Sequence, residues 1–224
     1  TFLDRETVRR IEYMRENDPN FWTIFGLGEW GEIKGLIYNN WQTTKEMPES
    51  YDWRFMGLDF GFTNDPSALI EIRKSGQHIY VQEHIYKTGL TNYDLADEMI
   101  AQGIMDVIIY ADSAEPKSIA EINRYEEARL NRIRLVPTTK GRDSVKHGIN
   151  LVQQQNLLIH QDSHNLMKEI RNYKWQEKNG EMINAPINAK GDHALDALRY
   201  AITGAIGMRK TVRGCLLYTS PSPR

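Results

Sequence analysis

Three short β-rich runs, Phe55 to Phe60, Ser67 to Arg73 and His78 to Tyr86, follow one another with only turn chemistry between them: Thr63-Asn64-Asp65-Pro66 and Ser75-Gly76. Strands joined this tightly pair antiparallel, so the chain from Arg54 opens as a meander. Beyond Tyr86 the period changes. Asn92 to Gln102 puts Leu95, Met99 and Ile100 on one helical face, Val107 to Ala111 is an apolar run of strand length, Pro116 to Arg129 reads as a helix and Ile133 to Val136 as a strand. Strand and helix in alternation give parallel βαβ units. A helix over Asp143 to Gln154, a strand over Leu157 to His160, a helix over Ser163 to Tyr173, a hairpin over Lys174 to Ile183 around Asn179-Gly180 and a last helix from His193 to about Gly207 complete the pattern. The expected fold class is α/β, a mixed sheet with an antiparallel three-strand meander followed by parallel strands.

The flanks have a different texture. Residues 4 to 17 form a charged helical pattern with Val8, Ile11 and Met14 at spacing three, and Phe21 to Trp41 is an aromatic, Gly-rich connector. The chain starts at Thr1 with no leader-like segment, so the start is expected to be a cut. Residues 209–224 are expected to be a disordered tail, and from Cys215 (CLLYTSPSPR) it resembles a translated sequencing-library adapter rather than native protein.

Composition excludes several classes. No apolar run approaches the roughly 18 residues of a spanning helix. One cysteine among 224 residues makes neither an internal disulfide nor a zinc cage. The formal charge of −2 gives no general affinity for phosphate, but it is unevenly spread. Residues 1–52 hold six basic side chains against ten acidic, whereas residues 138–210 hold eleven against seven. The second stretch can face a polyanion.

Three carboxylates stand at the ends of elements. Asp59 closes the first strand within Gly57-Leu58-Asp59-Phe60-Gly61, where burial needs a partner or a cation; capping of the Gly61–Asn64 turn is the local alternative. Asp112 directly follows Val107 to Ala111, at the strand end where open sheets gather ligands; alternatively Asp112 or Ser113 caps the helix begun by Pro116. Asp196 shares a stripe with His193 and Tyr200 opposite the apolar arc of the last helix, a stripe that could equally be a solvated face, with Asp192 placed as N-cap. Together, three clustered carboxylates repel one another until hard cations such as Mg²⁺ or Mn²⁺ intervene. Two such ions suit phosphodiester hydrolysis.

At these residues the sequence resembles the C-terminal nuclease domain of the large terminase subunit of tailed bacteriophages, which has a ribonuclease H-like fold with helices on both faces of its sheet. The resemblance covers about residues 3 to 208. It rests on Gly26-Leu27-Gly28-Glu29-Trp30-Gly31, on Gly57-Leu58-Asp59-Phe60-Gly61 followed by Asp65-Pro66-Ser67-Ala68, on Ala111-Asp112-Ser113-Ala114-Glu115-Pro116 and on His193-Ala194-Leu195-Asp196-Ala197-Leu198-Arg199-Tyr200. It implies that Asp59, Asp112 and Asp196 carry two Mg²⁺ or Mn²⁺ ions, Asp59 between them, with His193 beside the site. It further implies a connector over 1–50 leaving an ATPase domain that this chain lacks, since no G-x-x-x-x-G-K-[ST] loop occurs, and a nuclease domain over 51–208. The implied role is cutting concatemeric double-stranded viral DNA during genome packaging in the host cytoplasm at the procapsid portal, alongside the portal protein and the small terminase subunit and without a membrane.

Candidate DNA contacts are Lys140, Arg142 and Lys146 at the start of a helix, with Lys178 on the hairpin and Lys190 before the last helix; ordinary surface lysines and arginines are the plain alternative. Rival readings remain open. A junction resolvase shares the fold, and a docking module would need no strand-end carboxylates. The turn Asp59-Phe60-Gly61-Phe62-Thr63 also resembles a phosphate loop of actin-like ATPases, though no second such loop follows.

Overall fold

The computed structural model describes residues 35–138, 143–178, 181–186 and 191–217. The meander is present as β2 (Trp53–Asp59), β3 (Ser67–Ser75) and β4 (His78–Lys87), each antiparallel to the next. Then come α1 (Asn92–Ala101), β5 (Val107–Ala111), α2 (Pro116–Arg124), α3 (Glu126–Leu130) and β6 (Ile133–Pro137). The remaining elements are α4 (Ser144–Gln153), β7 (Asn156–His160), α5 (His164–Asn172), the hairpin β8 (Trp175–Lys178) and β9 (Glu181–Pro186), and α6 (His193–Leu217). A short strand, β1 (Trp41–Thr44), precedes them all.

Seven strands form one sheet in the order β1-β7-β4-β3-β2-β5-β6. β5 runs parallel to β2 and β6, and β7 parallel to β4 and β1, so the mixed sheet expected from the pattern is the one observed. Alternation along β3 divides the interior in two. Ala68, Ile70 and Ile72 face a core shared with α4, α5 and α6, whereas Leu69 faces a second core with α1, α2 and α3. Helices thus cover both faces, and each fully buried Leu or Ile contributes about 1.5–3 kcal/mol.

One charge is buried in the sheet. Glu71, fully enclosed on β3, accepts hydrogen bonds at 2.6 Å from Nε–H of both Arg54 and Arg73, and its other oxygen lies 2.6 Å from His84 Nε2. Burial alone would raise its proton affinity, but these partners hold its carboxyl down at about 2.

Three features depart from the sequence pattern. The helix expected over Pro116 to Arg129 is two helices, because Tyr125 between them adopts extended backbone with ψ 127°. Its hydroxyl donates to Asp97 and its ring meets Tyr93 edge-on, which ties the corner to α1. β1 lies within the segment read as connector; four residues without alternation carry no strand signal, and parallel pairing with β7 makes the strand. Finally, α6 continues past Gly207 to Leu217, with no proline to stop it, so residues 209–217 of the expected tail lie in this helix and residues 218–224 lie outside the described residues.

The packing of α6 on the sheet is unusually close at one point. A Cβ at Gly57 of β2 would stand 1.8 Å from the Ala197 carbonyl oxygen, so helix backbone rests on strand backbone there. The closest approach is set by small residues: Gly57 and Ala197, with Gly204 similarly set against the Tyr110 ring. Gly57→Ala should therefore lower unfolding free energy by about 2–3 kcal/mol in urea titration, at the upper end of overpacking costs, while Gly207→Ala, with open space around it, should be neutral or slightly stabilising. A neutral Gly57→Ala would contradict this seating of α6.

Candidate functional site

The parallel register of β2 and β5 pairs Leu58 with Ala111. The next residues, Asp59 and Asp112, consequently leave neighbouring strands side by side at their carboxyl ends, where the sheet opens. The first turn of α6, pressed onto β2, brings in the third partner group. His193 Nδ1 lies 2.8 Å from Asp59 Oδ2, and His193 Nε2 lies 3.8 Å from Asp65 Oδ1. Asp65 reaches this place because the loop after Asp59 folds back: Gly61 N–H donates to Ser67 Oγ at 3.1 Å, and a Cβ at Gly61 would meet the Asp65 carbonyl oxygen at 2.2 Å.

Asp112 is held from two sides. Its Oδ1 accepts from Ala114 N–H at 2.7 Å, and its Oδ2 accepts from Tyr200 O–H at 3.1 Å. Asp196 Oδ1 accepts from Arg199 Nη2 at 2.5 Å, one turn along α6. The Arg199 stem lies against Gly148 of α4, where a Cβ would come within 2.5 Å of it, and its guanidinium sits over the Tyr200 ring. The local alternatives at these residues fare differently. Asp112 makes a short local turn, but the residue at the cap of α2 is Glu115, not Asp112 or Ser113. Asp59 bonds His193, and Ser67 takes the Gly61 amide. The stripe on α6 is no solvated face, since Tyr200 is buried and His193 meets Asp59.

Electrostatics follow from this crowding. Burial pushes Asp59 up to about 6, and the charges of Asp196 and Asp112 push the same way while the bond to His193 opposes them. Burial would depress His193, but the Asp59 bond and the carboxylates of Asp59, Glu169 and Asp65 leave it above its ordinary value. Oxygen donors with one imidazole, repelling one another in a half-buried setting, are chemically the set that hard divalent cations take. Among the described residues no three His, Asp or Glu side chains stand close enough to enclose an ion; each carboxylate instead holds a protein partner. A cleft of about 450 Å³ adjoins His193, lined also by Phe60, Asp65, Asn92, Glu115 and Ser118.

Of the candidate DNA contacts, Lys146 is exposed on α4 and Lys178 ends β8. Lys140, Arg142 and Lys190 lie outside the described residues. Four residues of the site carry no role in the sequence reading. Tyr200 and Arg199 were legible in principle, as a tyrosine on the His193–Asp196 stripe and an arginine three residues from an aspartate. Asp65 stands in the motif Asp65-Pro66-Ser67-Ala68, but its approach to His193 depends on how the loop folds back, and Glu169, on a second helix, leaves no local signal.

The chain is similar to several known proteins. The family model described as the terminase RNAseH like domain matches residues 59–203. The large terminase subunit of Bacillus phage SPP1 is 31% identical over 150 residues, covering 65% of this chain and 34% of that protein. The PBSX phage terminase large subunit of Bacillus subtilis (strain 168) is 23% identical over 212 residues, covering 90% of this chain and 47% of that one. The chain thus spans between about a third and a half of these relatives. The crystal structure of the g2p large terminase nuclease domain from bacteriophage SPP1, with bound Mn, superposes with a TM-score of 0.62 at 28% identity, over 75% of this chain and 97% of that one.

Because the carboxyl of Asp59 binds its proton more tightly in the fold than in the unfolded chain, its charge costs stability. The folded form holds the extra proton between pH 3.8 and about 6, so this contribution is favourable below that window and is lost as pH rises through it. In EDTA, Asp59→Asn should remove the loss: the variant's advantage over wild type in urea titration should grow from pH 4 to pH 7, reaching on the order of 2 kcal/mol. A variant less stable than wild type at pH 7 would contradict the account.

Proposed function

Because the chain belongs to the family of terminase RNase H-like domains, we propose that it is a metal-dependent endonuclease that cuts double-stranded viral DNA during genome packaging. The observation that carries the reading is the convergence of Asp59 and Asp112 at adjacent strand ends with His193 of α6 bonded to Asp59. The relatives named as large terminase subunits, and the SPP1 nuclease domain solved with Mn, support it.

In this reading Asp59, Asp112 and Asp196 would hold two Mg²⁺ or Mn²⁺ ions. Bound ions of this kind lower the pKa of a water and offset the charge that builds on a scissile phosphate and its leaving oxygen. The protein's own part is orientation and proton handling. Tyr200 and Ala114 fix the Asp112 carboxylate by one bond to each oxygen, and Arg199 fixes Asp196. His193, anchored through Nδ1 to Asp59, keeps its Nε2 edge toward Asp65 and the adjoining cleft, where it can accept or return a proton as the phosphodiester bond breaks.

Lys140, Arg142, Lys146, Lys178 and Lys190 are proposed to hold the DNA backbone flanking the site. The portal protein and the small terminase subunit are the proposed protein partners, with packaging at the procapsid portal in the host cytoplasm. No helix among the described residues is long and apolar enough to cross a membrane.

The purified chain should nick and linearise supercoiled plasmid in Mn²⁺ or Mg²⁺ and leave it intact in EDTA. Asp59→Ala, Asp112→Ala and Asp196→Ala should each reduce the rate by about 100-fold or more, the several kcal/mol that a metal ion contributes, without lowering helix content. Full activity in any one variant would remove that residue from the site. Intact DNA at every metal concentration would favour a docking module, and preferential cutting of four-way junctions a resolvase.

A further inference from the structure

The first turn of a helix presents backbone N–H groups that have no partner within the helix, and the side chain at the cap position ordinarily takes those two and three residues on. In α6 the cap position is Asp192, whose carbonyl accepts from Asp196 N–H at 2.8 Å. One first-turn donor goes to a different helix: Glu169 Oε2 on α5 accepts from Leu195 N–H at 3.0 Å.

Glu169 is only 9% exposed, on the face of α5 where Leu166, Met167 and Ile170 fill the core. A carboxylate there costs several kcal/mol unless it is bonded, and a leucine would pack as well. Its second oxygen accepts from Tyr86 O–H of β4 at 2.9 Å, so all of its polarity is directed at α6 and at the strand beneath. A cap supplied by Asp192 would stabilise the helix wherever it lay. A cap supplied by Glu169 ties the helix start to α5 and β4, and that start carries His193 and Asp196, the residues on either side of Ala194 and Leu195.

We propose that Glu169 is a positioning residue: its carboxylate caps α6 from α5 and thereby fixes where His193 and Asp196 stand against the ends of β2 and β5. The proposal rests on the nuclease reading of those two residues, and its test separates the two. In metal-free protein, Glu169→Ala should accelerate hydrogen exchange at the Leu195 amide about tenfold or more, while amides of Leu69 to Ile72 in β3 change by less than about threefold. The Mn²⁺ concentration that half-saturates the thermal shift, and that which half-saturates cleavage, should rise about tenfold together. Glu169→Gln, which keeps an oxygen for Leu195 N–H and a group to meet Tyr86, should stay within about threefold of wild type on every readout. If Glu169→Ala does not fold, Glu169→Asp, one methylene too short to reach Leu195, takes its place. Unchanged exchange in the first turn, equal acceleration throughout the protein, or a Gln variant as impaired as Ala would each overturn the proposal. A wild type that binds no Mn²⁺ but shows the selective change in exchange would overturn the nuclease reading and leave Glu169 as a cap alone.

Discussion

The contact between two backbones, that of α6 and that of β2 at Gly57, sets the distance between the first turn of the helix and the end of the strand. Helices usually stand off a sheet by the depth of intervening side chains, roughly 10 Å between layers. Here the missing side chain at Gly57 lets the Ala197 carbonyl drop onto the strand, and the first turn of the helix comes within hydrogen-bond reach of Asp59. Were that gap wider, His193 would face solvent and Asp196 would be one more surface carboxylate. The site is therefore a consequence of small residues in facing positions as much as of the acidic residues themselves.

The same closeness explains why the site is costly to the fold. Asp59 is enclosed beside Asp112 and Asp196 and holds its proton to about 6, so at neutral pH its charge is carried at a cost to folding stability. The framework holds it there through larger gains elsewhere: two apolar cores on opposite faces of one sheet, and a buried Glu71 matched by Arg54, Arg73 and His84. The contrast between Glu71 and Asp59 is instructive. Glu71 is surrounded by cationic donors and ionises readily, whereas Asp59 has like charge and a single imidazole around it and keeps its proton to about 6.

Much of this was legible in the sequence because it is local. Turn residues between Phe60 and Ser67 and at Ser75-Gly76 dictate the meander, the apolar run ending at Ala111 fixes a buried strand, and the stripe on α6 emerges from 3.6-residue periodicity. The placement of Asp59 and Asp112 at neighbouring strand ends depends on β5 pairing with β2, a strand order that no local pattern states. What was not legible depends on partners far along the chain. β1 is a strand only because β7 offers it an edge, the break at Tyr125 follows from Asp97 and Tyr93, and Glu169 caps a helix that starts 24 residues later. No period or propensity marks such residues, since each is defined by what it touches.

The central claim is that three carboxylates distant in sequence share divalent cations at the end of the sheet. Crystals soaked in Mn²⁺ and measured at the manganese absorption edge test it most directly, because anomalous scattering locates the ions without assuming ligands. The account predicts two peaks roughly 3.5–4 Å apart, both within bonding distance of Asp59 and each completed by Asp112 or Asp196. Peaks confined to other surfaces, or a fully occupied ion that leaves Asp59 bonded only to His193, would contradict it.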